Sequence, residues 1–87
     1  MKTAVFFFTG KVQGVGFRYT TRKMATELGL LGQVKNLKDG RVELQVSGAE
    51  SALGLLIAQL KETFRITEIE EMPLEANPTW KGFVIAY

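Results

Sequence analysis

Two stretches with helical spacing alternate with stretches of strand character, and this alternation constrains the fold more than any other feature of the chain. In the first, Met24, Ala25 and Leu28 lie three or four residues apart on one face, while Arg22, Lys23 and Glu27 can face water. Gly29 or Gly32 supplies its stop. In the second, from about Glu50 to Thr63, Leu53, Leu56, Ile57, Leu60 and Phe64 repeat at the same interval. Gly54 falls inside this segment and weakens it by roughly 1 kcal/mol relative to Ala.

The intervening segments carry strand signals. Residues 3 to 9 are rich in Phe and Val without helical spacing, and Gly10 begins a glycine-punctuated stretch that runs through Gly16. Val34 and Leu37 flank a short strand, and Asp39-Gly40 supplies the positive backbone angles of a tight hairpin turn. Val42, Leu44 and Val46 then alternate with Glu43, Gln45 and Ser47, the pattern of a half-buried antiparallel strand. Around Ile66 and Ile69 the alternation slips, which predicts a bulge or an irregular edge. Pro73 to Lys81 reads as a loop, and Phe83, Ile85 and Tyr87 alternate in a terminal strand. The order strand, helix, strand, strand, helix, strand predicts an α+β protein of the ferredoxin-like, split βαβ class. Its antiparallel sheet would have four to five strands, with two helices on one face.

Composition narrows the chemistry. Eighty-seven residues suffice for one domain, spanning 1–87, so any site must share its core. The chain holds neither cysteine nor histidine. That removes disulfides, thiolate nucleophiles, the commonest general base and most zinc sites, and it suits a reducing cytoplasm. The apolar run after Lys2 stops at Phe8, too short for a secretory signal, and no stretch approaches the roughly 20 residues needed to span a bilayer. A soluble, cytoplasmic protein without membrane partners is expected. The formal charge of +2 is unevenly spread: residues 1–41 carry eight Lys or Arg against two acids, residues 42–87 three against seven. This favours an anion near the N-terminal half, although solvated surface lysines without a ligand explain the charge equally well.

The sharpest local signal is Gly10-Lys11-Val12-Gln13-Gly14-Val15-Gly16-Phe17-Arg18, between the first strand and the first helix. A glycine-rich turn into a helix can aim several backbone N–H groups into one concavity, and the helix terminus adds positive potential. Arg18 adds a planar fork of donors that matches a phosphate. A plain strand-to-helix turn with a surface arginine has the same spacing.

At this segment and again from Gly32 to Glu43 the chain resembles the acylphosphatase family. The family's first signature is a glycine, any residue, Val-Gln-Gly-Val, any residue and Phe-Arg, which stands here as Gly10 to Arg18. Its second is met by Gly32, Val34, Asn36, Asp39, Gly40, Val42 and Glu43. The resemblance implies hydrolysis of acyl phosphates without a metal or other cofactor. It implies that the backbone of Gln13, Gly14, Val15, Gly16 and Phe17 cradles the phosphoryl group, that Arg18 binds it, and that Asn36 positions the nucleophilic water. Inorganic phosphate would inhibit as product, and the protein would act as a monomer. Two departures stand out: Gln33 where many members have an aromatic residue, and Lys61-Glu62-Thr63-Phe64 where many have a Gly-Pro turn.

The implied reaction agrees with the absent histidine. The leaving group of an acyl phosphate is a carboxylate, which departs without protonation. A carboxamide accepts no proton at neutral pH, so Asn36 can only orient the water. Two rivals come from other classes. The RNA recognition motif shares this sandwich and suits a pI near 9.1, but it needs exposed aromatics on its third strand, and Arg41 to Val46 has none. The other is a catalytically idle phosphate-binding or regulatory domain. Trp80 and Tyr87 read as packing residues, Glu68-Glu70-Glu71 and Arg22-Lys23 as solvated faces, and no metal site is assigned.

Overall fold

The computed structural model describes residues 1–74 and 79–87. Along the chain the elements are β1 (Lys2–Lys11), α1 (Phe17–Glu27), β2 (Leu31–Asn36), β3 (Val42–Gly48), α2 (Glu50–Thr63), β4 (Arg65–Pro73) and β5 (Phe83–Ile85). They form one five-stranded sheet in the order β4-β1-β3-β2-β5. The first four strands pair antiparallel, as the ferredoxin-like arrangement requires. The sheet is nevertheless mixed, because β5 pairs in parallel with β2. A strand that returns along the sheet after β4 runs opposite to β4, and therefore in the direction of β2. Strand direction leaves no mark on side-chain periodicity, so the sequence pattern gave no warning of it.

One face of the sheet is buried under the helices. Ala4, Phe6 and Phe8 of β1, Val34 of β2 and Val42, Leu44 and Val46 of β3 meet Phe17 and Ala25 of α1 and Leu53, Leu56 and Leu60 of α2. The ring of Phe17 packs on Phe8 at 5.1 Å and on Phe64 at 4.9 Å, joining β1, α1 and the end of α2. Helix α1 begins earlier than its apolar spacing suggested, since Phe17, Thr21 and Ala25 form its buried row while Met24 and Leu28 are half-buried beside it. Gly29 supplies the stop, where Gly29 N–H donates to Thr26 O at 3.1 Å and Leu30 N–H to Ala25 O at 2.9 Å. Gly32 lies inside β2.

In the hairpin between β2 and β3, Asp39 does not take the positive φ expected of an Asp-Gly turn. Only Gly40 takes a positive φ, 96°, while Leu37 N–H donates to Arg41 O at 2.8 Å and Gly40 N–H to Leu37 O at 3.2 Å. Asp39 instead accepts from Arg41, through its backbone N–H at 3.0 Å and its Nε at 2.8 Å. These bonds hold the Asp39 carboxyl below the usual carboxylate range, the backbone N–H contributing most. The irregularity predicted near Ile66 is a bulge: Thr9 pairs with Glu68 and Gly10 with Ile66, leaving Thr67 as the extra residue. The predicted loop from Pro73 to Lys81 begins where β4 ends, and residues 75–78 lie outside the described residues. Among the described residues no helix is long and apolar enough to cross a membrane.

Candidate active site

The glycine-rich segment is pinned at both ends by the core. Val12 and Phe17 are buried, while Gly14, Val15 and Gly16 between them are exposed. Burying one residue on each side of an exposed arc fixes where the arc stands. Gly16 is the N-cap of α1 in the left-handed region (φ 82°), a conformation that a residue with a Cβ enters only with strain. With no side chain it cannot cap the helix.

The first helical bond of α1 runs from Thr20 N–H to Gly16 O at 3.0 Å, so the N–H groups of Phe17, Arg18 and Tyr19 have no acceptor within the helix. The first turn holds no acidic residue and no side-chain cap. Positive potential at this terminus is therefore uncompensated from within the helix, the condition under which an anion is favoured.

A pocket of about 160 Å³ opens at this terminus, lined by Val12, Gly14, Gly16, Phe17, Arg18, Tyr19, Asn36, Ile85 and Tyr87. It brings together Gly14, Gly16, Phe17, Arg18 and Asn36 of the residues expected from sequence. Gln13 and Val15 do not line it. Val15 points outward, and the Gln13 carboxamide donates from Nε2 to Leu37 O at 2.8 Å and to Arg41 O at 3.0 Å.

Arg18 is half-buried, and no carboxylate of the described residues lies within ion-pairing distance of it. Its guanidinium instead faces the ring of Tyr87 at 5.1 Å. Tyr87, expected as a packing residue, stands beyond the end of β5 at 98% exposure and forms part of the pocket rim. Asn36 is the last residue of β2. Its Oδ1 is buried and has no hydrogen-bond partner among the described residues. An orphaned buried acceptor costs about 1–3 kcal/mol, which a donor from a bound ligand or water can offset; Thr21 Oγ1, in the core, is the other such atom among the described residues. Among the described residues no three His, Cys, Asp or Glu side chains gather as a metal site.

The acylphosphatase family model matches residues 4–85. The chain belongs to the acylphosphatase family. It is 44% identical over 73 residues to an acylphosphatase of Aeromonas hydrophila, covering 84% of this chain and 81% of that protein. It is 41% identical over 86 residues to an acylphosphatase of Archaeoglobus fulgidus, covering 93% of each. The crystal structure of acylphosphatase from Bacillus subtilis superposes with a TM-score of 0.91 at 36% identity, covering both chains completely.

The two departures from the acylphosphatase pattern fall outside the pocket. Gln33 pairs with Gln45 on one side and Val84 on the other and does not line it. In place of a Gly-Pro turn, α2 continues to Thr63 and passes through Phe64 directly into β4. Sequence reasoning missed Val12, Tyr19, Ile85 and Tyr87 as pocket residues. The alternation of Phe83, Ile85 and Tyr87 put Ile85 and Tyr87 on one side of a strand, but nothing local said which part of the molecule that strand would meet.

Proposed function

We propose that this protein hydrolyses acyl phosphates to a carboxylate and inorganic phosphate without a metal. The phosphoryl group sits against the backbone N–H groups of the loop from Gln13 to Phe17, with the Arg18 guanidinium on its oxygens. The Asn36 carboxamide orients the attacking water toward phosphorus. The observation that carries this assignment is the meeting of three features in one pocket: a helix N-terminus without a side-chain cap, an arginine with no ion-pair partner among the described residues, and the Asn36 carboxamide, whose Oδ1 has no hydrogen-bond partner among them.

The step balances without an acid or a base from the protein. The water oxygen bonds to phosphorus, the bond from phosphorus to the acyl oxygen breaks, and the carboxylate leaves with the electron pair. The water proton passes to a phosphoryl oxygen of the substrate. Phosphoryl transfer of this kind depends mainly on positioning and charge stabilisation, which the loop and Arg18 supply. Inorganic phosphate fits the same contacts and should inhibit as product. Every group invoked belongs to one chain, so a monomer suffices, and the cysteine-free composition suits the cytoplasm. No nucleic-acid partner is invoked.

Purified protein with excess chelator should hydrolyse benzoyl phosphate far faster than the spontaneous rate. Hydrolysis no faster than the spontaneous rate would leave an idle phosphate-binding domain instead.

A further inference from the structure

On the functional reading above, we infer that the Gln13 side chain is a positioning residue: it clamps the phosphate loop to the β2–β3 hairpin and so sets Asn36 relative to the phosphoryl group. The two halves of the site hang from strands that are not neighbours, because β3 lies between β1 and β2. They also lie where the sheet no longer joins them. Pairing of β1 with β3 ends at Phe8 and Val42, and pairing of β2 with β3 ends at Asn36 and Val42. From Thr9 to Lys11, β1 pairs only with β4, on the far side from Asn36. The ladder therefore leaves the gap between loop and hairpin unbridged at the end where the chemistry occurs.

Gln13 spans that gap. Both hydrogens of its amide are used, one on Leu37 O at 2.8 Å and one on Arg41 O at 3.0 Å. These acceptors flank the Asn36–Val42 pair on its two strands, and Leu37 N–H donates to Arg41 O at 2.8 Å to close the hairpin. Asp39 and the Phe7 ring hold Arg41 in turn, the ring 4.8 Å from the guanidinium carbon. Among the described residues these two bonds are the hydrogen bonds between the loop and the hairpin. A neutral group with two donors on a chain of this length is what two converging carbonyls require. A carboxylate there would face both oxygens with no proton to offer. Because in-line attack tolerates little misplacement, a shift of about 1 Å between water and phosphorus costs on the order of 100-fold in rate.

The test separates kcat from phosphate binding and uses Asn36 as its reference. Gln13→Met keeps the length and removes both donors. We expect kcat for benzoyl phosphate to fall about 10- to 100-fold, with KM and inhibition by inorganic phosphate changed less than about 3-fold, since the loop amides and Arg18 remain. In an Asn36→Ala background the same change should lower kcat no more than about 2-fold further, because the group being positioned is gone. An undiminished effect in that background would overturn the clamp, as would unchanged kcat or loss of phosphate inhibition in step with kcat. Should Gln13→Met not fold, Gln13→Asn, which keeps the amide one methylene short, carries the same readouts. Wild-type kcat in Asn36→Ala alone would instead overturn the assignment of Asn36 itself.

Discussion

Arg18 stands in the first turn of a helix whose other charges lie elsewhere, and no carboxylate of the described residues neutralises it. Its charge is therefore open to a ligand. Arg18→Gln should lower kcat/KM by on the order of 10³-fold or more while leaving the fold intact, because its guanidinium lines the pocket rather than filling the core. Arg18→Lys should fail nearly as badly, since a point charge cannot reproduce the planar fork. Asn36 makes the opposite kind of prediction. Its Oδ1 is buried without a hydrogen-bond partner among the described residues, so Asn36→Ala should collapse turnover, change phosphate inhibition much less, and leave thermal stability unchanged or slightly raised. Parallel loss of turnover and of melting temperature would mark Asn36 as structural. The glycine spacing and Arg18 were legible in the sequence as an anion-binding pattern. Asn36 was legible only through its resemblance to the family signature. The bonds of Gln13 cross 24 and 28 residues of sequence, and no local pattern records them.

Helix α2 was the most legible element, with bounds that match those read from its apolar spacing. Its continuous stripe of Leu and Ile residues leaves little ambiguity of period. Helix α1 was half-hidden because its first turn belongs to the glycine-rich motif, and its buried Thr21 breaks the apolar pattern. Glycines in helix α2 and strand β1 differ in what they do. At Gly54 an added Cβ would meet nothing within 4 Å, so Gly54→Ala should stabilise the protein by about 0.5–1 kcal/mol without changing activity. Differential scanning calorimetry should show this as a rise of roughly 4–8 °C per kcal/mol. At Gly10 an added Cβ would collide with the backbone carbonyl of Arg65 across the bulge, and Gly10→Ala should destabilise instead. Equal effects of the two substitutions would show that the bulge is not held by close backbone approach.

Across the whole molecule, the sheet carries the loop on β1 and the carboxamide on β2 to the same end, and β5 closes the pocket with Ile85. That convergence depends on strand order, which periodicity does not encode. The chain has neither histidine nor cysteine, and the mechanism draws no acid or base from the protein that would act between about pH 6 and 9. The kcat profile should accordingly be flat across that range, and a bell-shaped profile would reveal an acid or base that the mechanism lacks. The most direct test of the site as a whole is thermal unfolding with inorganic phosphate. A ligand bound only to the folded state adds RT ln(1 + [L]/Kd), about 1.4 kcal/mol at ten times Kd. For a domain of this size that is a rise of roughly 4–8 °C per kcal/mol, read against sodium chloride at matched ionic strength. The shift should persist with chelator and vanish in Arg18→Gln. A shift that survives Arg18→Gln, or one that requires a divalent metal, would place the anion elsewhere and reduce the loop from Gln13 to Arg18 to a structural turn.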